Sequence, residues 1–300
     1  MALNGNLAPI VLFCFNRPWH LKQTVESLQS SLLASKSELF IYSDGPKTDA
    51  DQMLVREVRD YVKEIKGFKN ITLITSAKNK GLAASVIDGV SEIVNRYKKV
   101  IVLEDDMLST PDFLNFMNDT LNAYEFRQDI FSVSGYTPPL TIPPDYQADL
   151  YLAPRASSWG WGTWADKWEK ADWNVKNFDD IKKKAAAQRE LKNGGNDLWP
   201  MLVKQQRGVI DSWAIRWTFS QFNHQAYGLY PVRSKIKNIG TDGSGTNFTF
   251  TSAQYGKEMS QGEVLMDPEL KPDAEMIASF RKYYNLPFAI KIKNWVKYRI

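Results

Sequence analysis

The first 134 residues alternate short apolar runs with longer amphipathic stretches, a pattern that points to the α/β class. Pro9 to Phe15 reads as a strand, and Pro18 to Leu33 as a helix with Leu21, Val25, Leu28 and Leu32 at helical spacing. Leu39 to Ser43, Ile71 to Thr75, Val100 to Leu103 and Ile130 to Ser134 read as further strands. Ala50 to Ile65, Leu82 to Tyr97 and Pro111 to Phe126 supply the intervening helices. Such βαβ units predict a mostly parallel central sheet flanked by helices. Beyond Ser134 the alternation stops. Pro138, Pro139, Pro143 and Pro144 mark an irregular crossing, followed by a tryptophan-dense stretch from Trp159 to Trp173. A lysine-rich helix is expected near Phe178 to Leu191, its Lys182-Lys183-Lys184 run on a solvated face, and another from Ser212 to Gln225.

Composition narrows the classes. A chain of 300 residues that is 43% hydrophobic and 24% charged is an ordinary globular protein. Its net charge of +4 is too small to argue for a nucleic-acid partner. Lys291, Lys293, Lys297 and Arg299 account for that excess, because the last fifteen residues hold no acid. With Cys14 alone, neither an intrachain disulfide nor a thiolate metal cluster is possible. The apolar segment Leu7 to Phe15 has no basic region before it, so it reads as a first strand rather than a signal peptide. No run approaches the ~18 apolar residues that span a bilayer. The expectation is a cytoplasmic protein, soluble or held at the inner face of the membrane. His20 and His224 have no neighbouring ligand pattern and read as structural.

The run Val100-Ile101-Val102-Leu103 ends in Glu104-Asp105-Asp106, with Ser109, Thr110 and Pro111 marking the next helix start. Carboxylates are thus crowded at the carboxyl end of a central strand, where open α/β sheets hold ligands. Adjacent acids repel, and a divalent cation relieves that repulsion; hard oxygen ligands suit Mg²⁺ or Mn²⁺ carrying a diphosphate.

Together these features resemble the GT-A glycosyltransferases, and among them N-acetylglucosaminyltransferase I and bacterial sugar transferases related to family 2. The family's Glu-Asp-Asp signature precedes a Pro-Asp-Phe-Phe-like helix start; here Glu104-Asp105-Asp106 precedes Pro111-Asp112-Phe113. The resemblance spans roughly residues 8 to 250 by motif order. It implies that Asp106 coordinates Mn²⁺ or Mg²⁺, that Asp105 lies near the ribose and metal waters, and that Glu104 lies near the donor sugar. It also implies that Asn16 and Arg17 approach the diphosphate, that Asp44 with Ser43 beside it meets the base, and that Asn79 and Gly81 pack against the nucleotide. Asp44-Gly45-Pro46 is equally a good turn, and Gly81 an ordinary helix start.

The second half resembles the acceptor side of such enzymes. Ser157-Ser158-Trp159-Gly160-Trp161-Gly162-Thr163-Trp164 is similar to a Trp-Gly-rich acceptor-binding element, which implies that one or two of Trp159, Trp161 and Trp164 stack on sugar. Trp161, Trp164 and Trp168 also sit at helix-compatible spacing, so several are expected in the core. Ile210-Asp211-Ser212-Trp213 corresponds to the family's Trp-Asp-Asp-Trp element, making Asp211 the candidate catalytic base; an acid there is also a favoured helix cap. Arg233 to Gly243 resembles an element leading into a mobile loop, with Gly240, Gly243 and Gly245 as its flexible points.

The resemblance therefore implies a metal-dependent, inverting transfer of sugar from a nucleotide sugar, UDP-linked, to a glycan or lipid-linked glycan in bacterial surface-glycan synthesis. Two alternatives stand beside it. A sugar-nucleotide nucleotidyltransferase would want a glycine-rich loop after the first strand, where Asn16-Arg17-Pro18 has none. A non-catalytic, hemolysin-like membrane-binding protein would rest on the cationic aromatic tail. The expected organisation is one catalytic domain over residues 1–260, with a nucleotide-sugar half (1–136) and an acceptor half (137–260). Residues 261–300 would form a tail able to contact a membrane peripherally.

Overall fold

The computed structural model describes residues 7–243 and 258–298. Strands β1 (Ile10–Cys14), β2 (Glu38–Ser43), β3 (Asn70–Thr75) and β4 (Lys99–Glu104) lie parallel in the order β3-β2-β1-β4. Helices α1 (Pro18–Gln29), α2 (Gln52–Glu64) and α3 (Leu82–Tyr97) connect them. All five β1 residues are buried because helices cover both faces. Ile10 and Leu12 pack with Leu21 and Val25 of α1, whereas Val11 and Phe13 point the other way toward Val86 and Val90 of α3.

The short β5 (Met107–Ser109) follows the three acids and leads to α4 (Phe113–Ala123). The main sheet continues through β6 (Ile130–Ser134), β7 (Leu150–Ala153), β8 (Trp161–Trp164) and β9 (Tyr227–Pro231), giving eight strands in the order β3-β2-β1-β4-β8-β6-β9-β7. β8 and β7 run against the others. One sheet thus crosses both halves of the chain. β10 (Ile236–Asn238) pairs antiparallel with β5, with Asn238 opposite Met107.

Beside the sheet lie α5 (Ala165–Trp168), α6 (Phe178–Lys183), α7 (Ala185–Leu191), α8 (Leu198–Gln206) and α9 (Trp213–Asn223). The single helix expected from Phe178 to Leu191 is two, broken at the extended Lys184; the lysine run is exposed as expected. The chain closes with α10 (Ala274–Tyr283) and α11 (Phe288–Tyr298).

Two sequence expectations need correction here. Trp161 and Trp164 belong to a strand, so a spacing of three sends them to opposite faces of the sheet. Trp161 stacks on Trp213 with ring centroids 4.9 Å apart, while Trp164 donates from Nε1 to the Leu121 carbonyl at 2.9 Å. Both are fully buried core residues, out of reach of a sugar. The boundary at residue 260 also fails to follow the packing. Leu270 lies in the core with Val264 and Met266 against it, and Met276 and Phe280 of α10 pack on Tyr151 and Tyr230.

Candidate active site

β1, β2 and β4 all end at one edge of the sheet, and the loops there carry the candidate residues. Glu104 is the last residue of β4, opposite Phe13, and Asp105 and Asp106 form the turn into β5. Thr24 of α1 fixes that turn: its hydroxyl donates to the Asp105 carbonyl at 2.8 Å and accepts from the Met107 amide at 3.0 Å. Arg17, just before α1, donates through Nη2 to Asp105 Oδ1 and to Asp106 Oδ2, the latter at 2.8 Å. Burial, and then the charges of Asp106 and Asp105, push the Glu104 carboxyl up to about 8. Burial likewise pushes Asp105 up to about 6, against the pull of Arg17. For Arg17 burial works against the charge, but Asp105 and Asp106 outweigh it and raise the pKa.

The far wall comes from β10 and the turn after it. The Ile239 amide donates to the Asp106 carbonyl at 2.9 Å, and Asn238 bridges from Asp106 Oδ1 at 3.4 Å to the Gly240 amide at 2.7 Å. Gly240 lies against the acids so closely that a Cβ there would collide with the Asp106 carboxylate and stand 2.9 Å from Arg17 Nη1. Only glycine fits. Beyond it, Asp242 Oδ2 lies 3.0 Å from His20 Nε2, tying the turn to α1. Gly243 is in that turn, and Gly245 falls outside the described residues.

At the ends of β2 and β3, Asp44 takes a backbone-clamping position. Its carboxylate accepts from the Gly45 amide at 2.8 Å, the Lys80 amide at 2.9 Å and the Gly81 amide at 2.9 Å. Three of its roughly four acceptor sites are thus in use. Asn79 donates to the Gly45 carbonyl at 2.9 Å, and Gly81 starts α3 at φ +80°. Asn16 turns to Asp51 at the start of α2, 2.7 Å away. A cavity of about 500 Å³ opens beside this loop, lined by Ser43, Asp44, Thr75, Ser76, Lys78 and Lys80 among others.

Sequence reasoning missed Arg59. From α2 it donates to Ser43 Oγ at 3.1 Å and to the carbonyls of Asp44 at 3.1 Å and Ser76 at 2.8 Å, binding the two strand ends together. The signal was present, because Arg59 shares the buried stripe of Val55, Val58 and Val62. A cation at such a position needs a polar partner within the fold.

Asp211 stands at the same end of the sheet. α9 begins with Trp213 on Trp161, which faces Val102 of β4, and descends to Trp217 beside Phe131 at the start of β6. The cap of α9 is Ser212, whose hydroxyl accepts from the Ile215 amide at 3.4 Å. The Asp211 carboxylate is therefore not consumed in capping. It is exposed and accepts from Arg216 Nη2 at 2.8 Å. Trp159 is half-buried, its ring 4.5 Å from that of Tyr136, and is the sugar-stacking candidate that retains an accessible surface.

A mostly parallel sheet with acids at the end of β4, and with an antiparallel strand inserted beside it, is a fold of the GT-A type. Residues 10–178 match the sequence profile of glycosyl transferase family 2, and the chain belongs to that family. Among solved structures it is similar to a mannosyltransferase of Pyrobaculum calidifontis in complex with GDP-Man and Mn²⁺ (14% identity, TM-score 0.35), covering 54% of this chain and 48% of that one. It is also similar to residues 1–349 of S. aureus TarS in complex with UDP (10% identity, 77% and 59% covered, TM-score 0.41) and to an active-site mutant of LgtC (11% identity, 74% and 72% covered, TM-score 0.37). The chain thus spans about half the length of the mannosyltransferase. No curated protein sequence matches it.

Among the described residues, no group of three His, Cys, Asp or Glu side chains is placed to hold a metal by itself. The donor set suits a cation that arrives with its own ligands. Mg²⁺ commonly uses one or two carboxylates and takes phosphate and water oxygens for the rest. Asp106, with one oxygen on Arg17 and the other toward Asn238, is the carboxylate that fits this use.

Proposed function

We propose that the protein is a metal-dependent, inverting glycosyltransferase that moves a sugar from a UDP-linked donor to a glycan acceptor. The observation that carries this reading is Arg17 held between Asp105 and Asp106 at the carboxyl end of β4, a cation and two carboxylates at the place where a diphosphate binds. Asp106 would hold Mn²⁺ or Mg²⁺, which would supply positive charge against that developing on the leaving UDP. Arg17 turns its remaining donors to the diphosphate oxygens. The loop that Asp44, Asn79 and Arg59 shape receives the base. Asp211 accepts the proton of the acceptor hydroxyl as that oxygen bonds to the anomeric carbon and the bond to UDP breaks. Trp159 lies on the acceptor side, and the turn containing Gly240 and Gly243 closes over the donor.

We assign residues 1–136 to donor binding and 137–260 to acceptor binding and the base, with Leu270, Met276 and Phe280 completing the core. A lipid-linked glycan at the inner face of a bacterial membrane is the acceptor class we favour. The test is release of UDP by the purified chain from a panel of nucleotide sugars, with Mn²⁺ and with chelator. Metal-dependent release from a UDP-sugar supports the reading. Equal release with chelator overturns the metal assignment, and release from another nucleotide sugar alone overturns UDP.

A further inference from the structure

No described helix is long and apolar enough to cross a membrane, yet α11 is built with two opposed faces. One face holds the helix to the domain. Asn294, buried at 4% exposure, accepts from Lys204 Nζ of α8 at 2.9 Å. Arg207 donates to the Tyr298 carbonyl at 2.6 Å, and Lys204 lies 4.9 Å from the Tyr298 ring centroid. The other face carries Phe288, Ile292, Trp295 and Val296, all exposed, with Phe288 at 77% and Val296 at 61%. At 3.6 residues per turn these four fall within an arc of about 100°, with Asn294 on the far side of the helix. Lys291 borders one edge of that arc and Lys293 the other, while Lys297 lies toward the side of Asn294, 5.2 Å from the Tyr298 ring centroid. No acid occurs in the helix.

We propose that this face of α11 lies on an anionic phospholipid surface, as the interaction by which the enzyme meets its acceptor. Charge decides between occupants. A second copy of the chain would present the same lysines and bring like charges together, whereas anionic headgroups pair with lysines that flank a buried apolar stripe. Trp295 suits the same boundary, since its indole is apolar in body and polar at one edge. The placement is functional as well. Only Gly208, Val209 and Ile210 separate Arg207, where α11 is anchored, from Asp211, and Val209 is itself exposed. A membrane on this face therefore lies beside the acceptor side of the cleft. That last step rests on the glycosyltransferase reading above; the lipid binding does not.

The test is co-sedimentation of the full chain with phosphatidylglycerol vesicles and with phosphatidylcholine vesicles, without donor or acceptor. The expected result is binding to the anionic vesicles alone, weakened by salt. Replacing Lys291 and Lys293 with glutamine should lower partitioning about fivefold per lysine. The double variant Phe288→Ser, Val296→Ser should stay in the supernatant with an unchanged melting temperature, because both side chains are exposed. UDP binding by either variant, followed by tryptophan fluorescence, should match the parent and so separates failure of this proposal from failure of the transferase reading. Equal sedimentation of the double variant, or equal binding to both vesicle types, overturns it. So does a dimer in light scattering that the two serines convert to monomer.

Discussion

Arg17 Nη2 stands 2.8 Å from Asp106 Oδ2, so the cation expected to meet a diphosphate and the acid expected to meet a metal are already in contact. The contact has an electrostatic cause. Three successive acids at a buried strand end repel one another, and Arg17 is the positive charge the fold brings to them. On the function proposed above, a bound metal and diphosphate would leave Asp106 facing a different cation and would give Arg17 phosphate oxygens in place of a carboxylate.

Arg17→Ala should therefore destabilise the metal-free protein. Removing one partner of a buried ion pair typically costs about 3–5 kcal/mol, because the remaining charge is left uncompensated. Mn²⁺ should recover more stability in this variant than in the parent, by substituting for the lost cation. Thermal melts of both proteins with Mn²⁺ and with chelator measure the difference. An identical Mn²⁺ response in the two would show that Arg17 and the metal do not share Asp106.

Asp106→Ala should abolish Mn²⁺-dependent transfer while leaving the fold intact. Its backbone stays fixed by the Ile239 amide, and Arg17 keeps Asp105 as a partner when the Asp106 carboxylate is removed. Turnover at saturating donor and metal is the measurement. Parent-like turnover in a folded variant would sink the metal assignment.

Much of this arrangement was legible beforehand, and the reasons differ between the two halves. From β1 to α4 each long strand leads to a helix, with only the short β5 interposed after β4, and the helical 3.6-residue period contrasts with the apolar run before it, so existence and type of these longer elements were readable. α3 and β6 even have the expected ends. β8 was not readable as a strand. Its four residues are buried on both faces, so no polar alternation marks it, and Trp161, Trp164 and Trp168 mimic a helical stripe. β5 and β10 pair across more than a hundred residues at three positions each, too short to carry a period. At the site, the acidic run and Arg17 showed themselves by charge against an apolar background. What remained hidden was how side chains would be used. Asp44 spends its oxygens on backbone amides, Ser212 takes the cap that Asp211 could have taken, and Arg59 required knowing which strand ends α2 lies against.

Arg59→Ala should loosen the ends of β2 and β3 and weaken donor binding. Hydrogen bonds from a charged donor contribute about 1.5–3 kcal/mol each, and here four acceptors lose that donor. Because Arg59 acts through Ser43, Asp44 and Ser76 rather than on the reacting atoms, KM for the donor should rise with kcat little changed. Steady-state kinetics with varied donor separates the two. A fall in kcat at unchanged KM would show that the residue acts elsewhere.

Asp211→Asn should leave donor affinity intact and lower turnover by about 10²–10⁴, the usual loss when a general base is removed. The amide cannot take the acceptor proton, although it keeps the shape of the side chain. The fold should be indifferent, since the cap of α9 is Ser212 and the Asp211–Arg216 pair is exposed on the acid's side. Exposed pairs contribute about 0–1 kcal/mol, so the melting temperature should move little. Arg216→Ala supplies the complementary control. It frees Asp211 from its only ion pair among the described residues and should leave turnover within reach of the parent, because the arginine neither carries the proton nor touches the acids of β4. Turnover of both variants, with UDP affinity measured alongside, decides the role. If Asp211→Asn melts earlier with full turnover, the carboxylate supports the α9 turn and the base lies on another residue.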